Sequence, residues 1–351
     1  MMLKKNHKIP LDKFIDFCLY NKKTGYYMTK NPFGTKGDFT TSPIISRLFS
    51  EMIAIWTISF WQSLGCPKKF NLIELGAGNG EMMKVMVESF KNFPSFLRSC
   101  NIFIYEKSPR LIKKQKANIK YRNIKWMKNL KIDNKFPNIF LANEFFDSIP
   151  IKQFYKIGNS WHEKFINISN DNKLSFVKNK IEIKNLDKRF NINILEKQNF
   201  IEFSPIGIDY LKYIFKIIDK KDGGLLIIDY GYNSKKMKNT LQAIFNKKHS
   251  NVLKNIGKSD ITHEINFYLI EKILKNYNKL NAIYTSQKKF LTDLGINYRA
   301  EIIGKNKTFK EKADIFFRLQ RLIGENEMGN LFKVMLIKKR YNQFKEGFKN
   351  W

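Results

Sequence analysis

Cysteine is scarce in this chain. There are three in 351 residues, Cys18, Cys66 and Cys100, and they lie far apart. Such spacing gives no Cys-x-x-Cys pair and no disulfide framework, so a reducing compartment is expected and structural zinc is not. The four histidines are scattered, and His263-Glu264 lacks the second histidine of a zinc-protease motif. Long apolar runs are missing too. The longest, Met52 to Trp61, is interrupted by Thr57 and Ser59 and is too short to span a bilayer. After Lys4, Lys5 and Lys8 the chain enters an amphipathic segment, so neither a signal nor a transit peptide is evident, and a cytoplasmic location is expected. No internal repeat or low-complexity linker is seen.

Acidic residues are also few, 31 against 64 lysines and arginines, for a formal net charge of +33. Nucleic acid or an acidic membrane is one reading of that excess. General compositional bias is the other, and it is favoured: lysine far outnumbers arginine and is spread along the chain rather than gathered in one block. What remains is ample for a core. Hydrophobic residues make up 43% and aromatics 15%, which excludes a disordered chain.

The most informative stretch runs from Asn71 to Gly80, Asn-Leu-Ile-Glu-Leu-Gly-Ala-Gly-Asn-Gly. It reads as a buried strand entering a glycine turn, followed by a helix from about Glu81. Glycines there let the backbone turn sharply and approach a ligand. No Lys-Ser/Thr pair follows, so this is not a P-loop, and the spacing departs from the Gly-x-Gly-x-x-Gly dinucleotide pattern. With Glu74 two residues before the first glycine, it resembles the first motif of S-adenosylmethionine (SAM)-dependent methyltransferases.

Around it the pattern is α/β. Pro10–Tyr20 reads as a helix, and Ser42-Pro43 opens another, with Ile45, Leu48, Phe49, Met52, Ile53 and Trp56 on one core-facing stripe. Strands are expected over Phe70–Leu75, Asn101–Glu106, Asn123–Met127, Asn138–Ala142 and Leu225–Asp229, with helices over Glu81–Phe90 and near Ile206–Ile218. A last strand, Leu331–Ile337, is expected at the sheet edge. Short strands at Trp161–Ile168, Leu174–Val177 and Ile181–Ile183 form a β-rich insert. The expected division is an N-terminal helical and lid segment (1–65), the first half of the core (66–150), the insert (151–200) and the second half with helical substrate-side elements (201–351). The fold expected is a Rossmann-like, doubly wound, mostly parallel sheet with ligands at the carboxyl ends of its strands.

Three groups of residues sit at those ends. Glu106, closing the second strand, is placed to accept hydrogen bonds from ribose hydroxyls. Asn143-Glu144-Phe145-Phe146-Asp147 puts two carboxylates after the fourth strand. Acids there would offset repulsion between the SAM sulfonium and a cationic acceptor, and a guanidinium suits them because it binds carboxylates in pairs. Asp229 and Tyr230 end the fifth strand, where an aspartate can also simply cap a turn. Methyl transfer from a sulfonium needs no metal.

The whole pattern resembles the MidA family of SAM-dependent methyltransferases, which includes a mitochondrial arginine methyltransferase acting in respiratory complex I assembly. The resemblance runs nearly end to end. It rests on Gly25-Tyr26-Tyr27, the Gly37–Pro43 segment Gly-Asp-Phe-Thr-Thr-Ser-Pro, the Glu74–Gly80 turn and Ala142–Asp147. Further landmarks are Ile228–Tyr232, Thr240–Ala243, Asp260-Ile261-Thr262, Phe290-Leu291 with Leu294–Ile296, and Glu327–Val334. The later blocks look more like bacterial members. The resemblance implies a class I methyltransferase core, SAM as donor and an arginine on a partner protein as acceptor. It implies that Glu74, Gly76, Ala77, Gly78, Gly80, Glu106 and Asn143 line the cofactor, that Glu144 and Asp147 are catalytic, and that Gly37, Asp38, Thr40 and Thr41 form a lid with Asp229 and Tyr230 on the substrate side. Two positions depart from the family: Ile44 stands where an acid is usual, and Asn266 where aspartate is frequent. Two alternatives stay open. One is a nucleic-acid base methyltransferase, although Asn143 is not followed by the Pro-Pro-aromatic of such enzymes. The other is a non-catalytic assembly factor that binds SAM structurally.

Overall fold

The computed structural model describes residues 7–30, 32, 41–132, 135–182, 193–195 and 197–349. Seven strands form its central sheet: β1 (Phe70–Leu75), β2 (Cys100–Tyr105), β3 (Ile124–Met127), β4 (Asn138–Asn143), β5 (Gly223–Tyr232), β6 (Leu280–Ser286) and β7 (Phe332–Lys339). Their spatial order is β6-β7-β5-β4-β1-β2-β3, and the pair Ile265–Asn266 adds a short eighth strand beside the end of β5. β3, β2, β1, β4 and β5 are mutually parallel, while β7 runs antiparallel to both β5 and β6. This is a Rossmann-like, doubly wound architecture with one antiparallel strand inserted next to the edge.

Side-chain alternation explains why the sheet is covered on both faces. Leu72, Ile102, Ile104, Leu226 and Ile228 join one buried cluster with helices Arg47–Ser63, Glu81–Phe90 and Phe309–Ile323. The intervening Ile73, Leu75, Phe140, Leu225 and Ile227 join another with helices Pro205–Lys221 and Phe267–Leu274. Register is fixed at the amino ends by asparagines. Asn71 donates to Asn138 at 2.9 Å and accepts from Asn101 at 3.2 Å, a chain of side-chain hydrogen bonds that links three strands.

Two expectations are corrected. The last strand does not lie at the edge; it is interior, flanked by β5 and β6, and nearly all of Phe332–Lys339 is buried. Burial on both faces is what a central strand requires, and β6, hidden in the sequence by the alternation Leu280-Asn281-Ala282-Ile283, takes the edge. The helix expected from Ser42 is also interrupted. Ser42–Ile45 makes one turn, Ser46 turns extended (φ −153°), and its side chain caps Arg47–Ser63 by accepting from the Leu48 N–H at 3.2 Å.

Residues 152–157, 160–168, 174–181 and 200–203 form an antiparallel sheet. The N-terminal strand His7–Pro10 pairs with Ser160–Ile168 in that sheet, and Lys152 bridges Asp12 and Glu163 beneath it. The third strand read from the sequence is the end of Leu174–Ile181, with Ile183 outside the described residues. Residues 242–245, 248–250 and 260–262 make a small sheet whose last strand closes over the site described next.

Gly223 opens β5 at φ +116°, and a Cβ there would lie 1.9 Å from the Asn138 carbonyl oxygen. Gly223→Ala is therefore expected to lower unfolding stability by roughly 3 kcal/mol, because strain and a backbone clash coincide. Urea unfolding monitored by tryptophan fluorescence checks this; a change within error of zero would contradict the placement of β5.

Candidate active site

The order of strands reverses between β1 and β4, which opens a crevice at their carboxyl ends. Gly76, Gly78 and Gly80 follow β1 with φ of 69°, 54° and 83°, conformations that a side chain would strain. A Cβ on Gly76 would sit 2.9 Å from the Phe145 ring, so the turn also packs closely. Gly80 stands at the N-cap of helix Glu81–Phe90 and packs against Ile119, away from the residues that line the crevice.

Two connected hollows occupy the crevice. The smaller, about 380 Å³, is lined by Glu74, Gly76, Ala77, Gly78, Asn79, Asn143 and Glu144, with Thr41 and Pro43 above. Glu74 Oε2 and Asn143 Oδ1 are buried there with no hydrogen-bond partner among the described residues. Burial, with the Glu106 charge adding to it, pushes the Glu74 carboxyl up to about 8. Two orphaned acceptors beside a glycine cradle fit a ligand carrying ammonium donors.

The larger hollow, about 890 Å³, is lined by four carboxyl residues, Glu106, Glu144, Asp147 and Asp260. Tyr20, Tyr27, Tyr105, Phe145, Tyr210 and Tyr230 supply its aromatic walls, and Lys107 is the one cation among its lining residues. Lys107 lies over the Tyr20 and Tyr210 rings, 5.4 and 5.8 Å from their centroids. The Tyr105 and Tyr210 hydroxyls meet at 2.6 Å.

Each acid is held by the fold. Glu106 follows β2, accepts from the Ser108 N–H at 2.9 Å and from Gln115 at 3.1 Å, and is pushed by burial up to about 7. Gln115 also donates to the Gly78 carbonyl at 3.0 Å and accepts from the Trp126 indole, so one side chain ties the glycine turn to Glu106. Glu144 takes a left-handed backbone, φ 49°, fixed by its N–H donating to the Ile228 carbonyl at 2.9 Å. Such a conformation costs a non-glycine residue about 1 kcal/mol or more and is typical of functional sites. Its carboxylate accepts from Asn143 at 3.3 Å and from the Ser42 N–H at 3.4 Å, and burial with the nearby Asp147 pushes it up to about 8. Burial also pushes Asp147 up to about 6, against the pull of the Tyr230 hydroxyl and the His263 ring.

Asp229 plays a different part. It is fully buried, does not line either hollow, and accepts from the N–H groups of Phe146 and Asp147 at 3.1 and 3.3 Å. It thereby pins the turn that carries Glu144 and Asp147, while its neighbour Tyr230 does reach the larger hollow. Thr41 borders both hollows; Gly37, Asp38 and Thr40 lie outside the described residues. Ile44 is half-buried in the turn beside Thr41. Asn266 caps helix Phe267–Leu274, as an aspartate could, and also donates to the Ser234 carbonyl, which an aspartate could not; it lines neither hollow.

Tyr20, Tyr27, Tyr105, Lys107, Tyr210 and Asp260 were not picked out as site residues from the sequence. Tyr27 and Asp260 did lie within landmarks of the resemblance, a signal that could have found them. Tyr20 and Tyr210 sit on helices whose apolar periodicity hides a site role.

Residues 52–285 match the model of the family described as "Putative S-adenosyl-L-methionine-dependent methyltransferase". The chain belongs to that family of SAM-dependent methyltransferases, and SAM is its cofactor. It is similar to the mitochondrial protein arginine methyltransferase NDUFAF7 of Xenopus tropicalis, 28% identical over 95% of this chain and 83% of that protein. The Homo sapiens protein of the same name is 27% identical over 95% of this chain and 81% of its own length. A COG1565 superfamily member from Burkholderia thailandensis, bound to S-adenosyl-homocysteine, superposes with a TM-score of 0.82 at 20% identity, covering 98% of this chain and 91% of that one. A native structure of a COG1565 superfamily protein from the same organism gives 0.78 at 21% identity, covering 97% and 90%.

A carboxylate accepts hydroxyl hydrogen bonds better than its protonated form. Affinity for S-adenosyl-homocysteine is therefore expected to rise with pH through the raised Glu106 value of about 7. Glu106→Gln is expected to lose the part of that rise near 7, keeping the part that Glu74 contributes near 8, and to bind roughly 10- to 100-fold more weakly, the worth of hydrogen bonds to a charged group. Calorimetric titration across the neutral range checks both; an unchanged profile in Glu106→Gln would contradict them.

Proposed function

We propose that this methyltransferase acts on a side-chain nitrogen of arginine in a partner protein. The observation that carries the reading is the larger hollow, where four carboxyl residues and six aromatic rings surround a space bordered by a single cation. Carboxylates bind a guanidinium through paired, charge-assisted hydrogen bonds, and aromatic faces stabilise its planar charge. The relatives named protein arginine methyltransferases support the same acceptor. A subunit of respiratory complex I is the partner we put first, on the family resemblance, and the cytoplasm is the compartment we assign, in keeping with three free cysteines.

Bound SAM supplies an electrophilic methyl group on a sulfonium. In our reading Glu74, Gly76, Ala77, Gly78 and Asn143 hold its amino-acid end, and Glu106 its ribose; Thr41 covers the junction of the two hollows. Glu144 and Asp147 face the acceptor. A guanidinium is not deprotonated in advance, since its pKa exceeds about 12, so catalysis rests on holding one nitrogen in line and localising the charge on the others. Glu144, pushed up to about 8, is a stronger base than an ordinary carboxylate and can take the proton that the methylated nitrogen releases.

Glu144→Gln is expected to lower methyl transfer by about 100-fold or more, with SAM affinity retained within about twofold. Labelled methyl incorporation into extract from cells lacking the chain measures the first and calorimetry the second; full activity in the variant would remove Glu144 from the reaction. Mass spectrometry of proteins from cells with and without the chain is expected to show methyl-arginine lost from one protein. Unchanged arginine marks would contradict the arginine acceptor.

A further inference from the structure

The surplus positive charge is not evenly spread once the chain is folded. Between Lys107 and Lys131 there are ten lysines and arginines and no acidic residue. Helix Pro109–Asn118 runs from Ser108, beside Glu106 at the crevice, toward the opposite end of the sheet, with Arg110, Lys113 and Lys116 exposed along it. At that opposite end, where β1 to β3 begin, a recess of about 1350 Å³ is lined by Lys69, Lys91, Arg98, Arg122 and Lys125. No carboxyl residue among the described residues lines it. Among the described residues, none of these eight exposed cations lies within an ion-pair distance of a carboxylate. What sets this region apart is the density of its cations and the lack of interspersed acids; at another surface, by contrast, Arg47 and Arg299 converge on Glu51 at 2.9 and 2.8 Å.

We propose that this track, from the rim of the crevice to the basic recess, docks an acidic segment of the acceptor protein. The inference rests on the reading that the acceptor is a protein. A ten-residue helix spans about 15 Å, so a short extended peptide covers the track while its remaining chain reaches the crevice. Charge complementarity steers such a partner and fixes its orientation without a large apolar interface. Single-stranded nucleic acid fits less well. It is held by open aromatic platforms, and the aromatics of this stretch, Tyr121 and Trp126, are half-buried, with Lys116 over the Trp126 ring and the indole N–H bound to Gln115. A membrane surface fits less well again, because the recess is concave and no large apolar side chain of the stretch is exposed.

The test uses the full chain and a fluorescein-labelled decaglutamate peptide, followed by anisotropy. The triple variant Arg98→Glu, Arg122→Glu, Lys125→Glu is expected to bind the peptide at least about tenfold more weakly, with S-adenosyl-homocysteine affinity unchanged. A second triple, Lys305→Glu, Lys310→Glu, Lys312→Glu, makes the same charge change on a different exposed surface and is expected to bind within about twofold of the native chain. Equal loss in both triples would overturn the proposal, since net charge alone would then explain binding. Tighter binding of a ten-nucleotide single strand than of the peptide, at equal salt, would overturn it in favour of a phosphate polymer. No methyl transfer enters the assay, so its failure is distinct from failure of the arginine assignment.

Discussion

The burial of carboxyl groups without matching cations governs this molecule. Glu74, Glu106, Glu144 and Asp147 gather at the carboxyl ends of β1, β2 and β4, and removal from water raises each above its ordinary range. A fold accepts that cost only where something offsets it. In the reading proposed above, the ligands supply what is missing: an ammonium, ribose hydroxyls and a guanidinium.

Keeping these groups in place requires support that takes no part in chemistry. Asp229 fixes the backbone between Phe146 and Asp147, and Gln115 links Glu106 to the Gly78 carbonyl. The left-handed backbone of Glu144 is fixed by a bond to the next strand. The strained residue is thus held by β5 through its backbone and by the Ser42 N–H and Asn143 through its carboxylate. The N-terminal segment reaches the same place from afar: Ser42 donates to Glu144, and the hydroxyl of Tyr20 to the Ser148 carbonyl at 3.2 Å.

The central sheet was legible because its signals are local. A short, mostly apolar run such as Phe-Asn-Leu-Ile-Glu-Leu, a glycine turn and a following helix specify β1 and its successor without tertiary context. Position within the sheet was less so: nothing in Phe332–Lys339 alone says whether one or two neighbours flank it, and only the pairing with both β5 and β6 makes it interior. The acids were legible because they follow the carboxyl ends of parallel strands, where such sheets bind ligands, though Asp229 in the same setting pins a turn instead. The tyrosine walls were not, since Tyr20 and Tyr210 follow the periodicity of ordinary packed helices. The basic track escaped notice for a similar reason, as a local cluster is masked in a chain that is lysine-rich throughout.

The most direct measurement counts protons. Calorimetric titration of SAM at pH 7, in two buffers of different ionisation enthalpy, reads the net protons exchanged on binding. Glu74 and Glu106, held at about 8 and 7 in the free protein, are largely and partly protonated there and should ionise as the ammonium and hydroxyl donors of SAM arrive. A net release of protons is the result predicted. Identical binding enthalpies in the two buffers, meaning no proton exchanged, would contradict the account of a site built on buried, waiting carboxyl groups.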